Sequence, residues 1–148
     1  MDFLATALAQ HGYTKVRFKI SRTNHLLINV KVNGVKGTFI LDTGASSTCI
    51  GFQSEEKFLM RSVPSPTLAA GAGTVGLHTR MALFNVVSLG RFKINELPIT
   101  LFDLSHVNQA LEQQRARPVD GIIGADILLL GHGIIDYYNR LLYLKRDF

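Results

Sequence analysis

From residue 15 to residue 42 the chain alternates apolar and polar side chains, and that period of two commits it to β-sheet. Val16, Phe18 and Ile20 alternate with Lys15, Arg17 and Lys19, and Leu26, Ile28, Val30 and Val32 alternate with Leu27, Asn29, Lys31 and Asn33. Each set reads as a strand with one wet face. Asn33-Gly34 then supplies two residues that tolerate positive φ, as a type I′ hairpin requires. On the returning strand, residues 35–41, Val35, Gly37, Phe39 and Leu41 share one face, while Lys36, Thr38, Ile40 and Asp42 point to the other. Asp42 is therefore delivered at a strand end, where a glycine-containing turn begins. Functional groups commonly sit at such junctions on a rigid scaffold.

The rest of the chain is also strand-rich. Residues 77–89 read as a long strand, Gly90-Arg91 as a turn, and residues 92–101 as a further strand around Pro98. Two more strands are expected at 133–137 and 141–145, joined at Asn139-Arg140. Helical spacing is confined to short pieces. Residues 1–11 carry Leu4, Ala5 and Leu8, and residues 103–115 carry Leu104, Val107 and Leu111 behind a cap at Asp103 or Ser105. Residues 54–60 read as a short helix or turn. Two prolines and two serines make 62–66 a loop. Residues 69–76 are small and conformationally loose, and Gly121 to Leu128 reads as a buried strand turning into a helix. There are no internal repeats.

At 148 residues, with 47% apolar and 18% charged side chains, one globular domain with a sizeable core is expected. No apolar run reaches the roughly 18–20 residues of a membrane span. Asp2 stands where a secretion signal wants a positive charge, so a cytoplasmic location is expected. The single cysteine, Cys49, has no partner for an internal disulfide and reads as a buried thiol. The net charge is +5, but the basic residues are scattered along solvated strand faces, which argues against a dedicated nucleic-acid surface. His11, His25, His78, His106 and His132 show no metal-ligand spacing, so neither metal nor cofactor is expected. No Gly-x-Ser-x-Gly nucleophile elbow is present. Gly71 to Gly76 matches Gly-x-Gly-x-x-Gly, but strand-like alternation follows it rather than a helix, so a dinucleotide site is rejected. Among the other acids, Asp126 suits a helix N-terminus or cap, Asp120 an exposed loop or turn, and Asp136 a pairing with Arg140.

Leu41-Asp42-Thr43-Gly44-Ala45-Ser46-Ser47 resembles the active-site motif of retropepsin-like aspartic proteases. Two features in the right order strengthen it. Gly71-Ala72-Gly73-Thr74 is similar to the glycine-rich tip of the flap in that family, and Gly121-Ile122-Ile123-Gly124-Ala125-Asp126-Ile127-Leu128 to the segment that passes beneath the catalytic loop. The resemblance covers roughly residues 24–146. It implies a mainly β, closed barrel-like domain with a flap hairpin and one or two short helices, spanning residues 24–148 behind an N-terminal extension of residues 1–23. It also implies residue roles. Asp42 would be the catalytic carboxylate, Thr43 a bond across a dimer axis, and Gly44 the tight turn whose amide meets the carboxylate. Ala45 would line the substrate cleft, Gly71, Ala72, Gly73 and Thr74 would contact substrate from the flap, and Gly124 would permit close passage under the loop.

One such Asp per chain implies a homodimer, since the chemistry takes two carboxyl groups sharing one proton. The function implied is an aspartic endopeptidase acting on peptide or protein substrates. The alternative is a peptide-binding or scaffolding dimer with little hydrolysis, because residues 1–23 lack a clear counterpart and the flap region is poor in large apolar residues. A basic β-protein binding nucleic acid is a third reading.

Overall fold

The computed structural model describes residues 3–71 and 74–146. A short helix, α1 (Phe3–Gln10), leads into the hairpin of β1 (Tyr13–Ile20) and β2 (Leu26–Val32), and β3 (Val35–Leu41) returns against β2. The β2–β3 turn takes the expected left-handed geometry, with φ of 52° at Asn33 and 84° at Gly34. After β4 (Cys49–Gly51) and a 3-10 turn (Phe52–Ser54), β5 (Val63–Gly71) and β6 (Thr74–Leu89) form a long hairpin, followed by β7 (Phe92–Phe102). Helix α2 (Ser105–Gln113), β8 (Gly121–Ile123), α3 (Ala125–Leu130) and the hairpin of β9 (Ile134–Asp136) with β10 (Leu141–Lys145) complete the order.

The strands hydrogen-bond in the order β5-β6-β7-β4-β8-β3-β2-β1-β10-β9. A further pairing of β6 with β2, Lys31 opposite Ser88 and Val32 opposite Val87, closes β2, β3, β8, β4, β7 and β6 into a barrel. Ile28, Phe39, Ile50, Phe58, Leu101 and Ile123 fill it and are almost wholly shielded from water. Each such side chain contributes about 1.5–3 kcal/mol on burial. The 23/24 boundary falls in the β1–β2 turn, and β1 is hydrogen-bonded on both sides, to β2 and to β10.

Several local expectations are corrected. Ile40, on the face of β3 opposite Phe39 and Leu41, is buried too, so that face is not simply polar. It belongs to a second apolar cluster with Cys49, Phe102, Leu104, Leu111, Val119 and Ile122, because α2 covers that side of the sheet. Residues 63–66 are strand rather than loop. Their prolines are tolerated because β5 is the outermost strand and its register against β6 shifts between Pro64 and Leu68. Asp136 pairs not with Arg140 but with Asn139, accepting its backbone N–H at 3.0 Å and its Nδ2 at 2.8 Å.

Asp120 is no exposed loop acid. Its carboxylate accepts from the Thr38 N–H at 3.1 Å, the Ser54 hydroxyl at 3.0 Å and Lys57 Nζ at 2.9 Å, tying β3 to the segment after β4. Gly37 leaves it room, since a Cβ there would lie 2.8 Å from Asp120 Oδ2 and 2.5 Å from the Phe58 ring.

Candidate active site

The backbone of Asp42 is pinned from below. Its N–H donates to the Ile123 carbonyl at 3.0 Å, extending the parallel β3–β8 pairing by one step. Its own carbonyl accepts the Ala45 N–H at 3.2 Å, which closes the turn. The Gly44 N–H donates to Asp42 Oδ1 at 2.8 Å. One carboxylate oxygen is thus held by the turn, while the group as a whole is half-buried. Thr43, Gly44, Ser46 and Ser47 are exposed, so the loop presents itself outward from a rigid base.

That base is a clamp of polar groups which sequence reasoning assigned only in part. Thr48 is 1% exposed. Its N–H lies 3.0 Å from both carboxylate oxygens of Asp126, and its hydroxyl donates to Asp126 Oδ1 at 2.7 Å. The same hydroxyl oxygen accepts the Gly124 N–H at 3.1 Å. The Ala125 N–H donates to the Ala45 carbonyl at 2.7 Å. Asp126 does sit in the first turn of α3, where it also accepts the Ile127 N–H at 2.9 Å, but its main business is with the loop. Gly124 must be glycine for steric reasons, because a Cβ would stand 2.8 Å from the Ala45 carbonyl oxygen and from the Ser47 carbonyl carbon.

Cys49 follows this clamp and is buried; loss of solvation pushes its thiol up to about 12, so it remains protonated and inert near neutrality.

A cavity of about 310 Å³ opens beside Asp42. Ile40, Val107, Leu111 and Ile122 line its apolar side, and His25 and His106 also border it. Neither histidine stood out in the sequence, since their shared location depends on α2 lying over the end of β3. No second carboxylate lines this cavity among the described residues. The β5–β6 hairpin pairs Ala70 with Val75 and Gly71 with Thr74 at its end. Ala72 and Gly73, expected at the flap tip, lie outside the described residues.

Solved structures that resemble this one point one way. A retropepsin-like aspartic protease from Rickettsia conorii superposes with a TM-score of 0.58 at 20% identity, over 91% of this chain and 90% of that one. The retroviral protease-like domain of Ddi1 from Leishmania major gives 0.57 at 16% identity, over 87% and 92%. The EIAV protease, complexed with the inhibitor HBY-793, gives 0.55 at 18%, over 75% and 91%. No curated protein sequence matches the chain. These likenesses establish the retropepsin-like fold. The aspartyl protease family model matches residues 28–127, a span that holds the Asp42 turn, the clamp and Gly124. With two thirds of its length inside that match, the chain belongs to the aspartyl protease family.

Proposed function

We propose that two copies of the chain bring their Asp42 turns face to face and hydrolyse peptide bonds in extended polypeptides. The observation that carries this reading is the state of Asp42: a single carboxylate at the mouth of a cavity, one oxygen held by the Gly44 amide, on a turn whose flanks face solvent. One carboxylate cannot both withdraw a proton from water and donate one to the amide carbonyl. Two held about 3 Å apart cannot both ionise, so one stays protonated, as is established for aspartic proteases. The ionised member takes a proton from water as it attacks the carbonyl carbon; the protonated member hydrogen-bonds the carbonyl oxygen. The proton then passes to the leaving amine. Gly44 orients each carboxylate, and Thr43, exposed in the single chain, meets its counterpart across the axis.

The surface of the single chain suits pairing. Strand β9 ends the sheet with one edge open. Leu129, Leu130, Tyr137 and Tyr138, on α3 and after β9, are 78, 55, 63 and 93% exposed. Apolar exposure of that kind marks an interaction surface. A substrate would lie as an added strand between the β5–β6 hairpin and the Asp42 floor, with Gly71 to Thr74 and Ala45 touching its backbone.

Purified protein is expected to have the solution mass of a dimer and to cleave an unfolded polypeptide best at mildly acidic pH. Asp42→Asn should abolish cleavage while leaving the mass and the circular dichroism unchanged. Cleavage surviving in that variant would remove Asp42 from the mechanism. Binding of peptides without any cut product would favour the scaffolding reading.

A further inference from the structure

The cavity beside Asp42 is bordered by two imidazoles that the dyad chemistry does not use. His25 stands in the β1–β2 turn and is held there by hydroxyl groups. Its Nδ1 lies 2.6 Å from Thr23 Oγ1, and Thr23 Oγ1 lies 2.7 Å from Ser21 Oγ. The Ser21 hydroxyl oxygen also accepts the His25 N–H at 3.1 Å, while Asn24 takes the left-handed φ of 62° that folds the turn back. With Nδ1 engaged, Nε2 is the edge of the ring left for a ligand. His106 comes from a different element. On α2, residues 106, 107, 110 and 111 fall on one face. Leu111 is buried in the second core and Val107 packs against it, which sets His106 and Ala110 beside the cavity. Both imidazoles are exposed in the single chain.

We propose that this cavity receives a substrate side chain next to the cleaved bond, and that His25 and His106 make it select a carboxylate-tipped side chain, glutamate above all, over its neutral amide counterpart. The proposal rests on the peptidase reading above for the word substrate. The methylenes of such a residue would lie along Ile40 and Val107, with the carboxylate between the rings. An imidazole N–H donates more strongly to a carboxylate than to the neutral oxygen of an amide. The carboxylates facing them are Asp42 at the end of β3 and Asp103 ahead of α2. Asp103 is engaged with the N–H and hydroxyl of Ser105, and those bonds hold its carboxyl below the ordinary range. Asp42 contributes one side of a dyad whose single negative charge is shared by two protomers. Donating an imidazole N–H to a carboxylate rather than to a neutral amide oxygen is worth about a fivefold factor.

The test uses decapeptide pairs identical except for Glu or Gln, placed in turn at each of the two positions on either side of the cut bond. At one position, Glu should be cut about fivefold or more faster than Gln in kcat/KM at pH 5.5. The ratio should fall toward one in the His25→Leu/His106→Leu double variant, which keeps bulk at both positions but has no N–H to donate. His106→Lys should preserve the preference, a result that mere packing by the ring would not give. The same pairs, titrated onto Asp42→Asn by fluorescence anisotropy, should show the preference in Kd. Equal handling of Glu and Gln at every position, or a preference that survives in the double variant, overturns the proposal. Absence of any cut product with a Glu preference in binding would defeat the peptidase reading and leave the pocket assignment standing.

Discussion

Replacing Thr48 by Val keeps the volume and deletes one hydroxyl, which makes it a clean probe of the clamp beneath the Asp42 loop. That hydroxyl donates to Asp126 and accepts from Gly124, at a residue 1% exposed. Losing a hydrogen bond to a charged group costs about 1.5–3 kcal/mol, and leaving the Gly124 N–H without its acceptor costs about 1–3 kcal/mol more. The two overlap through the same relaxation, so about 3 kcal/mol is expected in total. Against a domain stability of about 5–15 kcal/mol this is large. Thr48→Ser keeps both hydrogen bonds and loses one methyl, for about 1 kcal/mol. Urea unfolding should be compared at one fixed protein concentration, because dimerisation would add a concentration-dependent term. A Val variant within 0.5 kcal/mol of wild type, or a Ser variant less stable than the Val one, would refute the assignment of the clamp. Under the proposed function, the Val variant should also lose about 100-fold in turnover, since a shift of about 1 Å in a catalytic group costs that much.

Gly124→Ala tests the same contact from the other side. Its φ of −104° and ψ of −171° suit any residue, so the cost is purely the collision with the Ala45 and Ser47 backbone, about 1–3 kcal/mol in thermal unfolding; an unchanged Tm would contradict the close passage. Glu55 accepts the hydroxyl and N–H of Ser62, and these bonds hold its carboxyl below the ordinary 4.5. A depressed folded-state value adds stability above about pH 4.5 that is lost as pH falls through the folded value. The stability gap between wild type and Glu55→Gln should therefore close on acidification in urea titrations followed from pH 6 to pH 3, and a gap constant with pH would count against it.

What could be read from the sequence follows the range of each interaction. The Asn33-Gly34 turn needed only two neighbours, and its geometry is as expected. The Asp42 turn was equally local: Gly44 reaches back two residues. Alternation put Ile40 on the face of β3 opposite Phe39 but carried no sign of what covers that face; only the distant Phe102 to Leu111 segment reveals α2 there. Asp120 was misread for the same reason: Thr38 and Ser54, which bind it, lie 82 and 66 residues away in sequence. Strand β4 has three residues, too few to show a period, and it is held by parallel pairing to β7 and antiparallel pairing to β8. The histidines at the cavity carry no motif at all. Their meeting is a product of the tertiary structure.

Strand β1 lies between β2 and β10, with Tyr13 opposite Lys145. During synthesis, β1 leaves the ribosome more than a hundred residues ahead of β10. Until the later strand emerges, one flank of β1 is an open row of backbone donors and acceptors, able to zip onto any neighbouring nascent chain. Lys15, Arg17 and Lys19, spaced at alternate positions along that strand, make such a meeting of two identical copies electrostatically costly. Those three basic residues thus act in time rather than in place: their charge guards an unfinished edge while β1 waits for β10.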